Sequence, residues 1–200
     1  MNRIIAILFI LLFFRTDFVI SQVENTSSRA EDKIKPALLI VDVQNEYLPS
    51  MSEEEKKYAL NVINGCIWFF RKNNYPIIRI YHSDLRWGPQ EGTVEFEYPK
   101  SIIINEHDTR IHKHYPSAFI KTDLDKILKV KNCNTLFLCG LSATYCVLAT
   151  YYGALEHEYK AYIIKEGIMS HNPDYTNIIK DICESVSFES MMFWLNKLSE

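Results

Sequence analysis

The sequence predicts an α/β fold with three layers: a parallel sheet of six strands with helices on both faces. Short apolar segments of strand length alternate with amphipathic segments of helix length, which is typical of right-handed crossovers between parallel strands. The clearest strands are apolar throughout, as strands buried on both faces are. With 200 residues, 48% of them hydrophobic, the chain is long enough for one sizeable core, and we expect one folded domain.

The first strand is the apolar run 37–41, which ends at Asp42. A capping box at 52–55 then opens a helix whose apolar residues follow helical spacing as far as Lys72. The second strand, 76–81, ends in the polar triplet His82-Ser83-Asp84.

The segment 85–107 is rich in aromatic residues, glycine and proline, so we expect an irregular excursion long enough to cover a site. After it, strands are predicted at 110–114, 134–139, 159–165 and 185–188, and helices at 122–130, 143–157, 175–183 and 190–198.

Residues 1–21 are predicted to be a signal peptide, so we expect a secreted or periplasmic protein. The apolar run 4–14 follows a basic residue and is short for a bilayer span, and small residues surround a cleavage point after Ser21. An uncleaved membrane anchor is the alternative, because Arg15 and Asp17 interrupt the signal pattern.

Residues 22–35 are polar and charged, which indicates a flexible lead-in to a domain at 36–200, and they carry a glycosylation sequon at Asn25. The formal net charge of -3 provides no basic field for nucleic acid, so a small-molecule or protein partner is expected. The five cysteines are an odd number and include no Cys-x-x-Cys pair; at least one thiol should be free, and no structural zinc site is expected.

The stretch 139–150 joins a strand to a helix through a tight turn and places Cys146 in the first helical turn. Free N–H groups and the helix dipole lower a thiol's pKa there and stabilise an oxyanion, so Cys146 is a candidate nucleophile. The alternative is a small buried hydrophobe. Asp42 and Lys113 lie near strand ends, where a loop cap and a solvated surface lysine are the respective alternatives.

Three separated pieces of the sequence carry a family resemblance: 37–44, Lys113 with 117–124, and 140–147. In order and spacing they resemble the isochorismatase-like cysteine hydrolases, which include nicotinamidases, carbamoylsarcosine amidohydrolases and ureidoacrylate amidohydrolases. The resemblance covers residues 35–198. It implies a Rossmann-like three-layer fold, a small amide or ureido substrate and a homo-oligomer.

The resemblance also implies a catalytic triad of Asp42, Lys113 and Cys146, with a thioester intermediate on the cysteine. The lysine would favour the thiolate, and the carboxylate would carry the proton between thiol and leaving amine. Backbone N–H groups around Tyr145 and Cys146 would hold the oxyanion, and a cis peptide bond is implied at Leu141–Ser142.

The predicted substrate pocket contains Gln44, Tyr47, His82, Trp87 and Phe119.

Two positions depart from the family pattern. Ala143 occupies a position where relatives often have threonine, and the nicotinamidase Asp-x-His metal motif is reversed here, as His82-Ser83-Asp84. With only His82 and Asp84 as weak candidate ligands, we expect neither a metal nor another cofactor.

The leading functional prediction is an exported hydrolase that cleaves a C–N bond of a small amide or ureido compound. An isochorismatase-type vinyl-ether hydrolase is an alternative that needs the aspartate but no cysteine. A secreted binding protein on an inactive hydrolase fold is the other alternative.

Overall fold

The computed structural model describes residues 33–84 and 86–197, and it confirms the predicted α/β fold. Six strands form one sheet in the order β3-β2-β1-β4-β5-β6, with every neighbouring pair parallel. The strands are β1 (Pro36–Val41), β2 (Ile77–His82), β3 (Thr109–Lys113), β4 (Thr135–Gly140), β5 (Lys160–Ile168) and β6 (Ser185–Val186). The chain winds outward from β1 in one direction and from β4 in the other, so the switch point where α/β proteins bind ligands lies between β1 and β4.

Helices cover both faces of the sheet, as predicted. They are α1 (Glu53–Lys72), α2 (Leu124–Val130), α3 (Leu148–Glu156), α4 (Pro173–Ile182) and α5 (Phe188–Lys197). Alternate side chains of β1 belong to different cores: Leu38 and Ile40 pack with α1 and α5, whereas Leu39 and Val41 pack with α2, α3 and α4. All six residues of β1 are buried, because the helices cover this strand on both faces of the sheet.

The start of α1 differs from the predicted capping box. Ser52 is the N-cap residue, but its side chain makes no capping hydrogen bond. Glu55, the other half of the box, instead accepts hydrogen bonds from the Ser170 N–H at 3.2 Å and the Thr176 hydroxyl at 3.0 Å. Glu55 therefore connects α1 to Ser170, which follows β5, and to Thr176 in α4.

The segment 86–107 contains no helix or strand among its described residues, as predicted. Its inner residues nevertheless anchor it: Phe96 stacks on Tyr81 with ring centroids 5.1 Å apart. The Tyr98 hydroxyl lies 2.8 Å from the carbonyl oxygen of Ile40 and 2.7 Å from that of Ile80. The excursion is therefore pinned to both β1 and β2 beside their carboxyl ends.

The predicted signal peptide at 1–21 and the lead-in with Asn25 lie outside the described residues, apart from the last few residues of the lead-in. Within the described part of the chain, no helix is long and apolar enough to cross a membrane. All five cysteines are free and buried, so the expectation of at least one unpaired thiol is confirmed.

Candidate active site

Asp42, Lys113 and Cys146 meet at the carboxyl edge of the sheet. Asp42 follows β1, Lys113 ends β3, and Cys146 lies in the turn after β4. Lys113 Nζ donates hydrogen bonds to Asp42 Oδ2 at 2.7 Å and to Cys146 Sγ at 3.2 Å. Residues far apart in the sequence thus form one connected group, with the ammonium bridging the carboxylate and the thiol.

Lys113 and Asp42 are buried, 1% and 2% exposed, so the alternative of a solvated surface lysine is wrong. The pleat of β3 explains this, because it directs Ile111 and Lys113 inward and His112 to the opposite side. The flanking histidines instead contact Ser83, the residue that follows β2. His112 Nε2 lies 2.7 Å from the Ser83 hydroxyl, and His114 Nδ1 donates to the Ser83 carbonyl oxygen at 2.7 Å. Removal of either partner of such a buried ion pair would leave the other charge unpaired and would destabilise the fold.

The thiol of Cys146 is not the low-pKa thiol that the sequence predicted. Burial and the negative charge of Asp42 raise the pKa of the Cys146 thiol above its ordinary value, and the Lys113 ammonium only partly opposes them. The helix-terminus argument left out the desolvation of a side chain that is only 5% exposed. The resting thiol is therefore protonated.

The turn that carries Cys146 has an unusual backbone. The Leu141–Ser142 peptide bond is cis, as the resemblance implied. Instead of a regular helix from Ala143, residues 143–147 form one π-helical turn, and α3 begins only at Leu148. Single π turns of this type are frequent at functional sites.

Gly140, the last residue of β4, sets the spacing between the two central strands at the site. Its φ angle is +117°, and a Cβ built there would lie 2.1 Å from the Val41 carbonyl oxygen. Because only glycine has no Cβ, the backbones of β1 and β4 approach each other closely at this point. This close approach brings the Asp42 and Cys146 segments together.

The predicted oxyanion donors need one correction. The Tyr145 N–H donates to the Ser142 carbonyl oxygen at 3.0 Å, so it is already in use. Among the described residues, no backbone hydrogen bond from the Ser142 N–H is found. Ser142 also lines the pocket beside Cys146 and is therefore the better donor.

A cavity of about 130 Å³ opens beside the Cys146 thiol. It is lined by Asp42, Tyr47, Ser50, Met51, His82, Trp87, Leu141, Ser142, Tyr145 and Cys146. Three of the predicted pocket residues, Tyr47, His82 and Trp87, therefore line it. Sequence reasoning missed Ser50 and Met51, whose only signal is their place in the loop after β1.

Gln44 and Phe119 were predicted in the pocket but do not line it. Gln44 is fully buried behind it, where it accepts from the His82 N–H at 2.7 Å and donates to the His82 carbonyl oxygen at 3.1 Å. Phe119 stacks on His157 at the end of α3, with ring centroids 4.7 Å apart. Gln44 thus fixes the backbone of His82, and Phe119 packs against the C-terminal end of α3.

Two buried polar atoms at the site have no hydrogen-bond partner: Asp42 Oδ1 and His82 Nδ1. One potential ligand atom from each of Asp42, His82 and Cys146 lies within 4.8 Å of the others. Asp84, the other predicted candidate ligand, is not part of this group and accepts from the Arg86 N–H in a local turn at 2.9 Å. The three-residue group at the site therefore joins His82 to Asp42 and Cys146 and does not include Asp84.

Comparison with known proteins gives consistent results. The secreted isochorismatase effector Isc1 of Verticillium dahliae is 28% identical over 116 residues, 56% of this chain and 61% of that protein. YddQ, an uncharacterized isochorismatase family protein of Bacillus subtilis, is 28% identical over 135 residues, 65% of this chain and 75% of that one. The structure of N-carbamoylsarcosine amidase from Thermoplasma acidophilum has a TM-score of 0.69 and 24% identity over 78% of this chain and 97% of that chain. At that identity it shows the shared fold alone.

A match to a protein family spans most of the described domain. Residues 36–181 match the isochorismatase domain, from the first residue of β1 into the last turn of α4. The matched range contains Asp42, Lys113, Cys146 and the pocket around them. The chain therefore belongs to the isochorismatase family of hydrolases.

Proposed function

We propose that this isochorismatase-family hydrolase uses Cys146 to cleave a C–N bond of a small amide or ureido compound. The observation that carries the proposal is the contact of Lys113 Nζ with both Asp42 Oδ2 and Cys146 Sγ beside a small pocket. A protonated lysine, a carboxylate and a thiol in contact supply a nucleophile, a proton carrier and a charge that stabilises the thiolate.

The first chemical step uses the free oxygen of Asp42. Because Lys113 occupies Oδ2, the unpartnered Oδ1 accepts the Cys146 proton. Sulfur then bonds to the carbonyl carbon, and the carbonyl electron pair moves onto oxygen.

The second half of the cycle returns the proton. The C–N bond breaks as Asp42 protonates the departing nitrogen, which leaves an acyl thioester on Cys146. Water then gives a proton to Asp42 and attacks the thioester, and Cys146 recovers that proton as the acid leaves. In both halves the Ser142 N–H is the proposed donor to the oxyanion, together with the N–H of Cys146.

The pocket limits the substrate to a small molecule. About 130 Å³ is close to the volume that holds a single benzene-sized ligand. Tyr47, Trp87 and Tyr145 supply flat apolar walls, whereas Asp42, Ser50 and His82 add polar atoms. A compact amide or ureido group fits this mixture of apolar walls and polar atoms.

One feature argues against an isochorismatase-type reaction. That reaction needs no cysteine, so the contact of Cys146 with Lys113 would serve no chemical purpose. Export remains part of our proposal: it rests on the signal-like segment 1–21, and the similar protein Isc1 is a secreted one.

A panel of amides tests the function. Purified protein is incubated with N-carbamoyl amino acids, ureido acids, aliphatic amides and nicotinamide, and ammonia release and intact mass are recorded. We expect turnover of at least one carbamoyl or ureido compound and a transient acyl adduct that maps to Cys146. Cys139→Ser is the matched control. Turnover that survives in Cys146→Ser would refute the mechanism, and absence of turnover throughout the panel would favour a binding protein.

Metal removal tests the same proposal from another side. Because Asp84 is not grouped with His82, we expect dialysis against EDTA to leave the rate undiminished and nicotinamide to be a poor substrate. Elemental analysis before and after dialysis provides the control. Activity that disappears with the metal and returns with zinc would contradict this prediction.

A further inference from the structure

Asp42, His82 and Cys146 form a compact group of three different donor types. A carboxylate oxygen, an imidazole nitrogen and a sulfur lie within 4.8 Å of one another, and all three residues are more than nine-tenths buried. Two buried atoms of these side chains, Asp42 Oδ1 and His82 Nδ1, lack any hydrogen-bond partner. Unpaired polar atoms in a buried place are costly, so the group has unused capacity to bind a ligand.

The spacing of the three side chains suits a transition metal. Around tetrahedral Zn²⁺, with bonds of about 2.0–2.3 Å, ligand atoms lie roughly 3.4–3.8 Å apart. A group within 4.8 Å must therefore contract by at most about 1.4 Å to reach that spacing. The backbone of His82 is held by Gln44 and by the Tyr47 hydroxyl, so one ligand is already positioned.

The charges of the site allow a divalent metal if the thiol is deprotonated. Lys113 already provides one positive charge beside the Asp42 carboxylate. Metal binding displaces the Cys146 proton to solvent and forms a sulfur–metal bond, which leaves one net positive charge. A chloride or hydroxide ion entering from the pocket at the fourth coordination position neutralises that charge.

We propose that Asp42, His82 and Cys146 bind Zn²⁺ or a similar thiophilic cation reversibly, and that this metal inhibits the enzyme. The metal consumes the proposed nucleophile and the proton carrier together, so it cannot assist the reaction. Hard cations such as Mg²⁺ and Ca²⁺, which prefer oxygen ligands, bind poorly to this set.

Metal binding is measured first without any substrate. Untagged, reduced protein is titrated with Co²⁺, and Zn²⁺ affinity is obtained by competition with a chromophoric chelator. We expect one metal per chain and a thiolate-to-cobalt absorption band that is absent from Cys146→Ser and unchanged in Cys139→Ser. Retention of the band in Cys146→Ser would overturn the proposal.

The other two ligands are tested with matched partners. His82→Gln should weaken Zn²⁺ binding by at least about 100-fold, since even outer partners of metal ligands contribute 10- to 100-fold. Asp84→Asn should weaken Zn²⁺ binding far less, because Asp84 lies outside the group and acts on His82 only through its charge. Near-UV circular dichroism verifies the fold of each variant, and equal losses in both variants would overturn the assignment.

A footprint in the unmodified protein does not depend on any variant. Zn²⁺ should protect Cys146 from iodoacetamide, EDTA should remove the protection, and Mg²⁺ should have no effect. Labelling of Cys146 that Zn²⁺ does not slow would contradict the proposal. The inhibitory effect rests on the proposed function, but metal binding does not, so an inactive protein that still binds Zn²⁺ refutes only the function.

Discussion

Cys139 and Cys146 are buried thiols at the two ends of the same connection, yet their surroundings differ completely. Cys139 is fully buried in β4, where its thiol lies 3.6 Å from the Leu39 carbonyl oxygen. Cys146 is almost as buried, but it contacts Lys113 and lines the cavity. Burial raises the pKa of both thiols. A charged neighbour and access to a ligand, and not burial, distinguish a candidate nucleophile from a core residue.

The largest expected difference between the two cysteines is in turnover. Cys146→Ser should lower kcat/KM for the best substrate of the amide panel by at least about 10³-fold, because it removes the nucleophile of both chemical steps. Cys139→Ser should keep the rate within a few-fold and instead lower the melting temperature, since it buries a hydroxyl in an apolar strand. Similar activity in the two variants would remove Cys146 from the mechanism.

The next effect concerns the ion pair that makes Cys146 different. Lys113→Met should reduce the free energy of unfolding by about 3–5 kcal/mol, because it leaves the Asp42 carboxylate unpaired in a buried site. Chemical denaturation measures the loss.

The control is an ion pair of equal length on the surface. Lys129 lies 2.7 Å from Asp125, but its side chain is 67% exposed. Lys129→Met should cost less than about 1 kcal/mol. Equal losses at the two lysines would mean that the buried pair has no special role in stability.

The smallest effect is a shift in the pH dependence of alkylation. The Asp42 charge raises the pKa of the Cys146 thiol and the Lys113 charge lowers it. The pH dependence of the iodoacetamide rate should therefore move to lower pH in Asp42→Asn and to higher pH in Lys113→Met. Peptide mapping follows each thiol, and Cys139 should stay unlabelled in the folded protein. Shifts of the opposite sign would contradict the electrostatic description.

The sheet and the meeting of three side chains could be predicted from the sequence for a simple reason. Apolar runs define β1 and β4, and residues that follow parallel strands meet at one edge. The position of Lys113 was harder to predict, because its neighbours His112 and His114 suggest a surface strand. Only the family resemblance assigned this lysine to the site.

The remaining errors come from effects that a linear pattern does not contain. Asp42 has a φ angle of +53°, so the alternation of side-chain directions along β1 ends there. Gln44 therefore turns toward the His82 backbone instead of the pocket. The pKa of the Cys146 thiol depends on burial by segments distant in the sequence. Phe119 was also predicted in the pocket, but it packs against His157 at the C-terminal end of α3.

The close approach at Gly140 also determines how this protein can change. Any other residue there would place a carbon atom against the Val41 carbonyl oxygen and separate β1 from β4. A Cβ at Gly92 in the excursion meets no atom within 4 Å, so a substitution there bears only the strain of the φ angle of +89°. Substitutions are therefore tolerated less well at position 140 than in the excursion, both in natural mutation and in directed evolution. New substrate preferences can accumulate in the covering segment, while the strand spacing beneath the thiol stays fixed by one glycine.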